Sequence, residues 1–179
     1  MVQVSLPPPR AKRNRQAGKR HTIREQLWPG SEDAFWNRTK NKGFTTIPRL
    51  LPMIMRLIDE LSEKVSASSV YLELWARVFD EGIVSIPNEK EFALAAGYTG
   101  NRAVRTMNER LLSLIELGFI KAKPDFGVDY GQILLVNPLQ VCVDLKASRP
   151  IDEAWWSAFV RRSTEVGAAL PAPRHRKTK

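Results

Sequence analysis

The chain has one cysteine, Cys142, in 179 residues, and two histidines, His21 and His175. A single thiol excludes an internal disulfide and suits a reducing compartment. Both histidines fall in charged tails, which argues against a catalytic role, and with one cysteine and no His/Asp/Glu cluster at ligand spacing no structural zinc site is expected. The sequence contains no GxxxxGK[ST], GxGxxG or GxSxG motif. Asp125-Phe126-Gly127 spells a kinase tripeptide with no other kinase element around it. The chain is therefore read as a non-enzyme with no catalytic residue, cofactor, metal or small-molecule ligand. No apolar run approaches the roughly 18 residues that span a bilayer. The basic start is not followed by the apolar stretch of a secretory signal, and Pro7, Pro8 and Pro9 disfavour the amphipathic helix of a transit peptide. A cytoplasmic protein without membrane contact is expected.

Charge is plentiful but uneven. Of the net +9, residues 1–24 hold +7 (Arg10, Lys12, Arg13, Arg15, Lys19, Arg20, Arg24, no acid) and residues 171–179 hold +4 (Arg174, Arg176, Lys177, Lys179). The body, 25–170, is left at −2. Composition predicts a disordered basic arm over 1–24 and a basic tail over 169–179. What the body does must be read from its pattern.

That pattern predicts a helix over about 48–63, whose apolar residues Leu50, Leu51, Met53, Ile54, Met55, Leu57, Ile58 and Leu61 cover about 200° of its circumference. An arc so wide implies deep burial or a partner. A second helix, about 69–80, carries a single stripe through Val70, Tyr71, Leu74, Trp75, Val78 and Phe79. Ile83-Val84-Ser85-Ile86 reads as a short strand. Asn88 and Glu91 open a short helix as N-cap and capping-box partner, and Gly97 closes it. A longer helix starts near Asn101 and ends at Gly118. Residues 119–123 and 132–136 form a hairpin around a loop at 124–131. Asn137-Pro138 favours a helix next, although Leu139, Val141, Val143 and Leu145 alternate like a strand. A last helix runs over about 151–166. The expected fold class is mainly α with a small β-hairpin (α+β): a domain at 44–147 and an accessory or dimerisation helix at 148–168.

The segment Ala95-Ala96-Gly97-Tyr98-Thr99-Gly100-Asn101-Arg102-Ala103-Val104-Arg105, continuing through Leu111-Leu112 to Glu116-Leu117-Gly118-Phe119-Ile120, resembles winged helix-turn-helix DNA-binding proteins. The apolar helix before it and the strand ending Ile133-Leu134-Leu135-Val136-Asn137-Pro138 are more loosely similar to bacterial plasmid replication initiators and related regulators. The first resemblance spans about residues 68–138 and rests on spacing and glycines. It implies sequence-specific binding of double-stranded DNA, in transcription control or in plasmid and mobile-element replication and maintenance, on the nucleoid. The helix from Asn101 would enter the major groove.

On that helix Val104, Met107, Leu111, Leu114 and Ile115 share one side within about 100° of arc. Arg102, Arg105, Thr106 and Glu109 face away, with Asn101 at the edge. Arginine bonds guanine at two atoms and asparagine does so with adenine, so these residue types near a helix N-terminus suit base readout. Glu109 has three open roles: accepting from cytosine, pairing with Arg105 one turn back, or repelling phosphate. In the wing, Lys121 and Lys123 suit phosphate while Asp125 and Asp129 do not. Phe126 and Tyr130 pack on the body or on a partner. Arg13, Arg15 and Arg20 form either a flexible strap, its arginines reaching the minor groove, or a nonspecific polyanion tail. Trp156 and Val160 lie off the main stripe of the last helix, as a homodimer interface or as a face buried in the body. The competing reading is a protein-interaction or assembly module on the same plan, with basic tails that bind nucleic acid nonspecifically.

Overall fold

Apolar residues three and four apart build the helix around which the C-terminal unit forms: α5 (Ala103–Leu117) buries Met107, Leu111, Leu114 and Leu117. The computed structural model describes residues 10–62 and 65–174, with side chains from residue 17 onward. They belong to two compact units, Met1–Phe44 and Thr45–Lys179. The first contains α1 (Arg10–Leu27). The second contains α2 (Leu51–Leu61), α3 (Ser68–Arg77), β1 (Ile83–Ser85), α4 (Glu89–Ala95), α5, β2 (Ile120–Asp125), β3 (Val128–Leu135), α6 (Pro138–Ser148) and α7 (Glu153–Val166). None of the described helices is long and apolar enough to cross a membrane.

Burial on several sides explains the wide apolar arc of α2. Leu51, Ile54, Leu57 and Ile58 are buried. The helix meets both α3 and α5, and Pro52 and Met53 line a groove with Trp155 and Ala158 of α7. Polar contacts set the register. The Asp59 carboxylate accepts from Ser68 N (3.0 Å) and Ser68 Oγ (2.7 Å), so α2 supplies the cap that α3 lacks. Ser113 Oγ donates to Ser62 Oγ at 3.0 Å, tying α5 to the end of α2.

The three strands form an antiparallel sheet in the order β1-β3-β2. Ile83 and Lys121 both pair with Leu134, and Ser85 and Lys123 both pair with Gln132, so these six share the outer face. Val84, Ile120 and Ile133 are buried on the inner one. The hairpin is tighter than the expected loop over 124–131. Pairing continues to Asp125↔Val128, leaving only Phe126 and Gly127 as the turn. Both have positive φ, 54° and 76°, as a type I′ turn needs. The extra residues are taken up as a bulge in β3 between Val128 and Gln132. Pro124, which has no N–H to donate, stands opposite it.

Residues 138–148 are helical, because Asn137 Oδ1 accepts from the N–H of Leu139 (3.0 Å) and Gln140 (3.4 Å) and starts α6. The strand-like alternation arises because α6 is buried on most of its circumference, at Gln140, Val141, Cys142, Val143 and Leu145. The helix expected over 148–168 packs into the same core through Ile151, Trp155 and Phe159. The expected tail is also shorter. Gln140 Nε2 donates to Ala172 O (2.9 Å) and Arg174 N donates to Asp144 Oδ1 (2.7 Å), which pins 171–174 to α6. In the first unit, α1 overturns the disordered arm from residue 10 onward. Its Arg, Lys, Gln and Ala residues favour helix, and no proline interrupts it. Residues 1–9 and 175–179 lie outside the described part.

Two hairpin substitutions should move stability in opposite directions. A Cβ on Gly131 would fall 2.2 Å from the Asp125 carbonyl oxygen, so Gly131→Ala is expected to cost about 2 kcal/mol or more. Phe126 is exposed and sits in a backbone region that disfavours it; Phe126→Asn should gain about 0.5–1 kcal/mol. Urea unfolding midpoints of the two variants read both effects.

Candidate functional site

The α4–α5 pair presents the predicted residues. Asn88 caps α4 by accepting from Glu91 N at 3.2 Å. The chain leaves α4 at Ala96 and turns through Gly97 and Gly100, with φ of 92° and 82°. Helix α5 begins two residues later than expected, so Asn101 lies in the turn and Arg102 is the N-cap residue. Side chains of Asn88, Asn137 and Asp152 cap α4, α6 and α7, but none caps α5. Its first free N–H groups are thus open to an anion.

Tyr98 anchors the turn. Its hydroxyl bonds Ser69 Oγ at 3.0 Å and donates to Ser66 O at 3.4 Å, while the Arg110 guanidinium lies 5.8 Å from its ring centre. Asn108 Nδ2 donates to Glu89 Oε1 at 3.0 Å, joining α5 to the start of α4. Between the two helices a cleft of about 600 Å³ is lined by residues including Lys90, Leu94, Tyr98, Asn101 and Val104.

Asn101, Arg102 and Arg105 are exposed, the Arg105 side chain at 80%, and Thr106 is half-buried. One of the roles open to Glu109 is adopted in this structure: Arg105 Nε donates to Glu109 Oε1 at 3.2 Å, and Arg110 Nη1 donates to Glu109 Oε2 at 3.3 Å. Because Glu109 takes the Nε of Arg105, the two terminal nitrogens of that guanidinium remain free for a second acceptor. An exposed pair of this kind adds little stability.

Lys121 and Lys123 are exposed on the outer sheet face, on a different element from Arg102 and Arg105. Asp125, on the same strand, accepts from Gln132 Nε2 at 2.8 Å. Phe126 is exposed and Tyr130 half-buried against the core. Arg20 is exposed on α1; Arg13 and Arg15 lie on the same helix, their side chains outside the described part. Arg13, Arg15 and Arg20, expected on a flexible strap, thus lie on a basic helix. Trp156 is half-buried, stacked on Phe159 at 5.7 Å with Lys146 6.0 Å from its ring centre. Of the pair expected at a dimer interface, Val160 is thus the more exposed.

One cluster escaped the sequence reading. His21, Glu25 and Glu32 bring ligand-capable atoms within 4.8 Å of one another, and the i,i+4 spacing of His21 and Glu25 was the available signal. Arg24 competes for the same carboxylates, at 2.7 Å from Glu25 and 3.7 Å from Glu32. Its hydrogen bond lowers the Glu25 pKa. Cys142 is buried, and desolvation pushes its thiol up to about 12, so it stays protonated at neutral pH. No protein-family model, curated protein or solved structure matches the chain.

Removing only the hydroxyl of Tyr98 should loosen the turn before α5. Tyr98→Phe is expected to cost about 0.5–1.5 kcal/mol, seen as a lower urea midpoint at unchanged m-value.

Proposed function

We propose that residues 45–174 form a winged helix-turn-helix that binds double-stranded DNA with sequence preference, placing the start of α5 in the major groove. One observation carries this reading. In the order α3-β1-α4-α5-β2-β3, with sheet order β1-β3-β2, α5 has one face in the core and an uncapped N-terminal end bearing Asn101, Arg102 and Arg105. Arg102 and Arg105 read guanine edges, Asn101 reads adenine, and Thr106 touches a neighbouring base or phosphate. Glu109 takes the Nε of Arg105 and leaves its terminal nitrogens for a base. Lys121 and Lys123 meet flanking phosphates, as do Arg13, Arg15 and Arg20 of the basic helix. The role is transcription control or plasmid and mobile-element replication, on the nucleoid in the cytoplasm. A homodimer on two half-sites uses the α7 surface at Val160.

A second reading is favoured by the −2 charge of the body and by Asp125 and Asp129 at the wing tip: a protein-interaction module, with DNA affinity confined to the basic ends. The two readings part in one experiment. Random-sequence duplex selection on the full chain should return an enriched site. On that site Arg102→Ala/Arg105→Ala should lose about tenfold or more in affinity for each bidentate contact removed, with weaker discrimination against random DNA. Equal discrimination by the double variant sinks the groove assignment. Loss of all duplex affinity at low salt in a 45–174 fragment gives the case to the interaction module.

A further inference from the structure

The first unit combines features that duplex DNA binding does not use. Among its described residues Trp28 is 62% exposed and Trp36 60%. Ile23, Leu27, Phe35 and Phe44 are exposed as well. So much apolar surface on so small a unit marks a contact surface. The same segment, 1–44, holds ten lysines and arginines against three acids, a net +7. Part of that charge is internally committed. Arg24 lies 4.4 Å from the Phe35 ring centre and pairs with Glu25 and Glu32, and Lys40 pairs with Asp33 at 3.5 Å. Lys19, Arg20, Arg38 and Lys42 are exposed and make no ion pair among the described residues.

The partner must then be anionic and offer flat apolar faces. An anionic membrane fits poorly, since α1 has only two large apolar residues, Ile23 and Leu27, in 18 positions and no continuous apolar stripe. In duplex DNA the base faces are stacked on one another and closed to a flat ring. In a single strand they are open, and exposed aromatic rings beside lysine and arginine suit that chemistry. Trp36 meets Phe44 edge to face at 5.7 Å, an arrangement that braces the indole without stacking on it. We propose that the Met1–Phe44 unit binds single-stranded nucleic acid, with Trp28 and Trp36 stacking on bases while Lys19, Arg20, Arg38 and Lys42 meet phosphates. It shares Arg20 with the duplex reading but does not rest on the assignment of α5 to a groove.

The test uses the full chain and a dye-labelled oligothymidylate of about 20 nucleotides, enough to cover one or more stacking sites. An abasic strand of equal length supplies phosphates without bases. In fluorescence anisotropy at about 150 mM salt, where long-range charge attraction is screened, the thymidylate strand should bind more tightly than the abasic one. Trp28→Ala and Trp36→Ala should each weaken thymidylate binding by roughly fivefold or more. Trp28→Phe/Trp36→Phe, which keeps stacking rings and guards against a folding artefact, should bind like the native chain. Unlabelled thymidylate strand should quench the native tryptophan emission and leave that of the double Phe variant unchanged, because Trp75, Trp155 and Trp156 are packed. Equal affinity for abasic and thymidylate strands would overturn the proposal. So would Ala variants that bind like the native chain, including any whose only change is a lower sedimentation mass, which would assign the rings to a second copy.

Discussion

Withdrawal of Met107, Leu111 and Leu114 from water governs much of what this chain presents to a partner. Burial of each contributes about 1.5–3 kcal/mol, and helical spacing turns that gain into orientation. With those three side chains inside, Arg105 and Glu109 are forced outward and Asn101 and Arg102 are left at the rim. The helix cannot rotate to hide its charges without exposing its core stripe. Asn108 and Ser113 add polar bonds to α4 and α2 that fix the same rotation. The exposed end of α5 is therefore set by the interior.

Electrostatics divides the molecule differently. The body at 25–170 carries −2, yet its cations lie at particular places: Arg105 donates to Glu109, and Arg110 is drawn between Glu109 and the Tyr98 ring. The first unit carries a large excess of positive charge with exposed indoles beside it. Net charge alone would merge these into one basic protein. Their chemistry differs: arginines hydrogen-bonded to Glu109 in one unit, and an excess of cations beside exposed indoles in the other.

Much of the architecture was legible because periodicity is a strong signal. The stripes of α2 and α5, the α3 stripe as far as Trp75, the Asn88 cap and the hairpin all follow from spacing; the last turn expected of α3 does not form, since the helix ends at Arg77 and leaves Phe79 81% exposed beyond it. The misreadings share a cause, which is contacts between residues distant in sequence. Gly131 looked like loop because its approach to Asp125 is invisible along the chain, and Asp144 gives no local sign of holding Arg174. Of the two roles open to Trp156, its packing on Phe159 and Lys146 could not be read along the chain. Residues 10–24 were read as disordered for another reason: a helix of arginines, lysines and glutamines has no apolar stripe to betray it. Among the site residues, the exposure of Asn101, Arg102 and Arg105 was predictable, whereas the coupling of Glu109 to both Arg105 and Arg110 needed side-chain positions.

Cys142 sits on α6, buried, with its thiol held in the unreactive protonated form. Because it is the sole cysteine of the chain, the native protein should be nearly silent toward thiol-directed reagents while folded. A cysteine introduced at an exposed position would then carry a fluorophore, a spin label or a crosslinker with almost no background and without first stripping out a native thiol. The packing of one small sulfur atom thus makes this chain a ready substrate for single-site spectroscopy.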